Sequence, residues 1–191
     1  MKEGFVINRS IFDFYYYLAV LDATKRVSKA EEKEALLKKP EIKTAILTYA
    51  ENVINNNGNP DFYCTLERIK KISENKLSFG KIQKLINMTM KYLYSQFYYI
   101  PECRERFKKC HAPMDRKMLH FVYVKYKELF EEYPGFSRDL SWSKMTERKI
   151  YDNYQNAIRR IIENENKDLL PIEFDYVALG KDPHKPLNQF A

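Results

Sequence analysis

Apolar residues return every three or four positions along most of this chain, and no stretch keeps the period of two that marks a half-buried strand. The first run follows Ser10, whose hydroxyl suits a helix N-cap, and sets Phe14, Tyr17, Leu18 and Leu21 on one stripe. A short helix is expected in "SKAEEKEALLKK", capped by Ser28 and stopped by Pro40. In the next, Ile42, Ala45, Ile46, Tyr49 and Val53 share a face before the breaker "NNNGNP". Phe62, Leu66, Ile69 and Ile72 form the inner face of a fourth.

The longest run has Phe79, Ile82, Ile86, Met90, Leu93 and Phe97 in register. Lys84 lies roughly 200° around that helix from Ile82, with Lys91 on the same side, so the pattern predicts an apolar inner and a cationic outer face. After the charged connector "IPECRERFKKCHAP", Pro113 suits the first position of a helix with Met118, Phe121, Val122 and Leu129 inward and Ala112 as its cap. His120 falls on the inner side of that helix, as a core residue. Trp142 then precedes the last long helix, where it reads as a core anchor, and Ile150, Tyr154, Ile158 and Ile161 line that helix's stripe. From residue 170 to 191 helical period is absent, and "IEFDYV" is expected to pack back as an extended strap. The expectation is an all-α fold of six to seven helices, in a single domain over residues 1–191, without repeats or a dividing linker.

Composition narrows the partners. No apolar run reaches about 18 residues, so no membrane span is expected. The N-terminal stretch carries Glu3 and Asp13 and lacks a small-residue cleavage site, unlike a signal peptide. Three cysteines make no even disulfide framework, which points to a reducing cytoplasm. Residues 66–126 hold 14 Lys/Arg and 5 Asp/Glu, a net of +9, leaving −2 for the remainder of a chain whose total is +7. A basic middle on a near-neutral frame suits a polyanionic partner, because neutralising phosphates releases counterions.

Candidate chemistry concentrates in that basic stretch. In "KLSFGKIQK", Gly80 permits a tight turn between two helices, and Ser78 stands at the entry of the second. Backbone N–H groups at such a helix start make a seat for phosphate. Lys84 follows one turn later, with Lys81 a second candidate within the turn's ambiguity. Asp115 lies 31 residues beyond Lys84 in "APMDRKML", at the start of another helix, where the peptide dipoles favour an ionised carboxylate.

"LSFGKIQKLIN" and "APMDRKML" together resemble the helix-hairpin-helix DNA glycosylases, the superfamily of endonuclease III and the adenine and 8-oxoguanine glycosylases, over residues 62–125. Ser78 stands where the first hairpin glycine of that family would be, and the long spacing from Lys84 to Asp115 is similar to that of its archaeal 8-oxoguanine branch. The resemblance implies a bifunctional glycosylase/lyase that rotates a damaged nucleotide out of duplex DNA. Lys84 would attack C1′ as a neutral amine, its pKa lowered by burial and nearby cations, while Asp115 would stabilise the charged sugar. Lys81, Lys91, Arg116 and Lys117 would contact phosphates, together with the turn at Ser78 and Gly80. No cofactor is implied, since the family's four-cysteine iron–sulfur loop is absent.

Two other readings stand beside this one. The same basic face would serve a non-enzymatic helical module that docks nucleic acid or a protein partner. Arg106 and His111 in "RFKKCH" also resemble the Arg-x(4–6)-His element of the all-helical HEPN ribonucleases, in which the pair would act at an RNA phosphate. Cys103, Cys110 and His111 do not have zinc-ligand spacing, so no metal is expected.

Overall fold

The computed structural model describes residues 5–24, 30–57, 60–135, 137, 139–165 and 168–178. All regular structure among them is helical. The helices are α1 (Arg9–Thr24), α2 (Ala30–Lys38), α3 (Pro40–Asn55), α4 (Phe62–Ile72), α5 (Phe79–Phe97), α6 (Pro101–Arg106), α7 (Arg116–Lys125), α8 (Leu129–Glu132), α9 (Arg148–Asn164) and α10 (Phe174–Ala178). Seven have nine or more residues; α6, α8 and α10 are short, and 3₁₀ turns occur at Phe107–Lys109, Trp142–Lys144 and Pro171–Glu173. No helix among the described residues is long and apolar enough to cross a membrane.

Helix α5 is the axis of the core. From Phe79 to Met90 every residue is buried, because α1, α3, α4, α6 and the Trp142–Lys144 turn all pack on it. The predicted stripe from Phe79 to Phe97 is buried as expected, but the cationic outer face does not exist. Lys81 and Lys84 lie inside the protein, each beside a carboxylate, because an enclosed ammonium without a partner is strongly disfavoured.

Several local expectations change for identifiable reasons. In α1 the buried residues are Phe12, Tyr16, Ala19, Val20, Ala23 and Thr24, whereas Phe14 and Tyr17 face solvent. "FDFYYYLAVL" is apolar around most of its circumference, so its period admits more than one phase. The small residues Ala19 and Ala23 select the phase that lets α1 lie against α5. Asn8 rather than Ser10 caps this helix, its side chain accepting from the Ile11 N–H. Pro40 opens α3 rather than merely ending α2, and the Ser28 cap falls outside the described residues. Asn56 closes α3 in the left-handed conformation, with φ 51°.

The long helix expected from Pro113 is shorter and starts later. Asp115 is itself the N-cap of α7, and its side chain accepts from the Met118 N–H at 3.0 Å. Pro113 and Ala112 belong to an extended, buried lead-in instead. The helix ends at Lys125, and His120 is exposed on it rather than part of the core. "IEFDYV" is not an extended strap: residues 171–178 continue from a 3₁₀ turn into α10. Pro171 sets the turn, and the Glu173 carboxylate reaches back to the Leu170 N–H at 2.7 Å. The remainder of the expected strap, residues 179–191, lies outside the described residues.

Candidate functional site

The site begins with an unusual use of side-chain amides. Residues 111–115 run extended between α5 and α9, so their backbone polar groups have no ladder to join. Gln155 of α9 donates to the Ala112 carbonyl at 2.7 Å and accepts from its N–H at 3.0 Å. Gln83 of α5 donates to the Met114 carbonyl at 3.0 Å and accepts from its N–H at 3.4 Å. The Tyr154 hydroxyl donates to the Pro113 carbonyl at 3.0 Å. Gln83, Gln155 and Tyr154 are all buried, so these bonds are sheltered from water and fix the segment's height along both helices.

That clamp decides where Asp115 emerges. Lys84 follows Gln83 on α5 as Asp115 follows Met114, and the Lys84 Nζ donates to the Asp115 Oδ2 at 2.6 Å. The two side chains, 31 residues apart in sequence, therefore meet. The lysine side chain is 7% exposed and the carboxylate 28%, so the pair reaches solvent mainly through Asp115. Burial alone would raise the Asp115 carboxyl; the adjacent Lys84 charge and the N–H groups at the start of α7 outweigh it and hold the carboxyl below its ordinary value. The Trp142 ring lies 6.0 Å from the Lys84 amine and is half-buried.

Trp142 is placed by the start of α5. Ser78 caps that helix, accepting from the Lys81 N–H at 3.2 Å while its hydroxyl donates to the Ser143 carbonyl at 2.5 Å. The Gly80 N–H donates to the Met145 carbonyl at 3.1 Å. A Cβ built on Gly80 would stand 1.6 Å from the Trp142 carbonyl oxygen, so only glycine allows this approach. These contacts correct the expected phosphate seat: the chain's own residues 142–145 cover the helix start, and Ser78 and Gly80 are bonded within the protein.

Two further lysines of α5 expected as phosphate contacts are paired with carboxylates of the protein itself. Lys81 is buried and paired with Glu32 of α2. Lys91 pairs with Asp175 of α10, with its amine 4.7 Å from the Tyr176 ring centre. Arg116 and Lys117, by contrast, are exposed on the first turn of α7 beside Asp115.

Asp175 had no place in the sequence pattern except as part of a strap. One of its oxygens is held by Lys91, whereas its Oδ1 is buried and has no hydrogen-bond partner among the described residues. Burial pushes its carboxyl above the ordinary range, partly opposed by Lys91 and Lys84, and Asp115 adds to the upward push. Lys84, Asp115, Lys91 and Asp175 thus form one electrostatically coupled group. Gln83 and Gln155 left a fainter trace: uncharged amides at positions flanked by core residues, which a hydrophobic stripe alone does not explain.

The Arg106 and His111 pair is differently engaged. Arg106 donates to the Ile54 carbonyl and lies over the Phe5 ring. His111 packs on Phe62, 4.4 Å between ring centres, and its Nδ1 lies 3.1 Å from the Tyr151 hydroxyl. Burial, with a smaller effect from Arg159, lowers the imidazole to about 3 and keeps it neutral. These surroundings describe a packing histidine. Cys103 and Cys110 are buried, the Cys110 thiol pushed up to about 12 by burial, and the described residues contain no group of three ligands able to hold a metal ion. Comparison of the chain with protein-family models, curated proteins and solved structures finds no match in any of the three.

Proposed function

We propose that this protein acts on duplex DNA as a lysine-dependent glycosylase/lyase of helix-hairpin-helix type, with Lys84 as nucleophile and Asp115 as its charged partner. The observation that carries this reading is the 2.6 Å contact between the Lys84 amine and the Asp115 carboxylate, at a place that reaches solvent. In this reading Lys84, once deprotonated, attacks C1′ of an extruded nucleotide, and the bond from C1′ to the base breaks with its electron pair leaving on the base. Asp115, held ionised, stabilises positive charge on the sugar. The C1′–O4′ bond then breaks, the ring oxygen taking up the proton that the attached amine loses, and the iminium so formed between C1′ and Lys84 allows strand cleavage by β-elimination. Arg116 and Lys117 offer phosphate contacts at the mouth of the site, and these position the duplex without reading its sequence.

Borohydride reduction on an abasic duplex tests the proposal. The wild type should give a covalent adduct that is lost in Lys84→Ala and kept in Lys91→Ala. A wild type that forms no adduct would leave the second reading, a non-enzymatic helical module for nucleic acid or a protein partner. The pairing of Lys81 and Lys91 within the protein takes two of the expected phosphate contacts from either reading.

A further inference from the structure

The apolar stripe that the sequence places on α1 exists, but it lies on the outside of the protein. At roughly 100° per residue, Ser10, Ile11, Phe14, Tyr17, Leu18 and Leu21 share one sector of about 120°, opposite the buried Phe12, Tyr16, Ala19 and Ala23. Ile11 is 38% exposed, Phe14 57% and Tyr17 44%, and Leu18 and Leu21 are partly exposed. The helix cannot rotate to hide them. Its Tyr16 hydroxyl donates to the Leu36 carbonyl at 2.8 Å, and Tyr15 stacks on Tyr92 of α5.

The charged residues of α1 stand at the borders of this face and are already used. Arg9 pairs with Glu51 and Asp13 with Lys43, both on α3, along one edge. Asp22 accepts from the Tyr92 hydroxyl along the other.

We infer that this face docks on the same face of a second copy of the chain, α1 against α1, antiparallel about a two-fold axis. The spacing of Ile11, Phe14, Leu18 and Leu21 is three, four, three, which reads the same in both directions. Reversed about residue 16, it sets Phe14 against Leu18 of the partner subunit and Ile11 against Leu21 of the partner subunit. Each prominent side chain then meets a more recessed one, as a two-fold interface requires.

Charge selects the same occupant. The face carries none, so two copies meet without opposing like charges although each has a net charge of +7. Nucleic acid would find no cation on it. Arg9 against Asp13 and Asp22 gives α1 a net charge of −1, the reverse of the basic border that holds a helix on an anionic membrane. Area sets the strength. At about 200 Å² for a whole aromatic side chain, Phe14 and Tyr17 together offer roughly 200 Å² per copy. With the three aliphatic residues a pair buries roughly 700 Å², short of the about 1,200 Å² of a stable interface, so the dimer is weak and reversible.

Sedimentation equilibrium of the full chain in reducing buffer, from about 5 µM to about 1 mM, tests the inference. The mass should rise from 22.9 kDa towards twice that value, with a midpoint above about 50 µM. Phe14→Glu, a change at an exposed position, should hold the mass at 22.9 kDa while leaving the helical circular dichroism unchanged. For the register, Ile11→Cys and Leu21→Cys are each made in a Cys64→Ser background, since Cys64 is an exposed thiol. Oxidised together, the two variants should link to each other. Neither should link to itself, because the antiparallel register holds like positions about 15 Å apart along the helix.

A mass of 22.9 kDa at about 1 mM would overturn the inference, as would association that survives Phe14→Glu or self-linkage of either cysteine variant. A monomeric wild type that sediments with phosphatidylglycerol vesicles, and ceases to do so as Phe14→Glu, would overturn it in favour of a lipid surface. None of these outcomes bears on Lys84, so this inference and the glycosylase/lyase reading stand or fall separately.

Discussion

The Gln83 carboxamide bonds both polar groups of the Met114 backbone, donating at 3.0 Å and accepting at 3.4 Å. The next residue of each chain segment, Lys84 and Asp115, forms the ion pair. The amide contact is therefore the ruler that sets the charged one: it matches the register of an extended segment to that of a helix. Asn87 supports it from below, donating to the Gln83 Oε1 and to the Tyr151 hydroxyl.

Replacing this ruler should be costly. Gln83→Leu keeps the volume but leaves the Met114 N–H and carbonyl enclosed without partners, so unfolding in urea should show a loss of about 2–4 kcal/mol. A loss below about 0.5 kcal/mol, typical of a neutral surface change, would mean that the segment is held by other means.

Gly80→Ala separates helix propensity from packing. By propensity alone alanine would stabilise the first turn of α5 by up to about 1 kcal/mol. The 1.6 Å approach of a Cβ to the Trp142 carbonyl oxygen predicts the opposite sign, a loss of about 1–3 kcal/mol or more as residues 142–145 are displaced. Trp142 is the only tryptophan, so its fluorescence should shift to the red as its ring becomes more exposed. Unchanged emission with raised stability would contradict the close docking.

His111 should give the fold an acid-sensitive component. Its folded-state value of about 3 lies below the ordinary 6.5, so the unfolded chain takes up the proton first as pH falls. Stability contributed by the neutral ring is full above pH 6.5 and is lost progressively towards pH 3. Between pH 6.5 and 5 the loss should be roughly 2 kcal/mol. His111→Phe, which preserves an aromatic ring against Phe62, should flatten this slope in pH-dependent denaturation. An unchanged slope would assign the acid sensitivity elsewhere.

Arg116 and Lys117 are the predicted phosphate contacts that remain exposed. If they bind the duplex, the double variant Arg116→Ala/Lys117→Ala should reduce the slope of log K against log salt by about 2. A weakened affinity with the same salt slope would show that they act other than through phosphate.

The sequence carried the all-helical class and the stripe of α5 because both depend on local period. It also marked Lys84 and Asp115 as residues worth bringing together. It did not reveal that Lys84 faces inward, since Asp115 lies 31 residues away and the carboxylates of Lys81 and Lys91 lie 49 and 84 away. Burial of charge is settled by partners that period cannot register. The same reason explains the misread tail: "IEFDYV" looked aperiodic, but its turn is made by Glu173 bonding Leu170, and its acids by their pairing with Arg104 and Lys91. In α1 the failure was different, because an almost wholly apolar surface leaves the phase to the small residues Ala19 and Ala23.

The most direct measurement is to locate the reduced adduct. After borohydride trapping on an abasic duplex and proteolysis, mass spectrometry should find the sugar remnant on the peptide containing Lys84, attached to that side chain. Attachment to Lys81, Lys91 or the N-terminal amine, or no attached sugar at all, would contradict the assignment of Lys84 as the nucleophile.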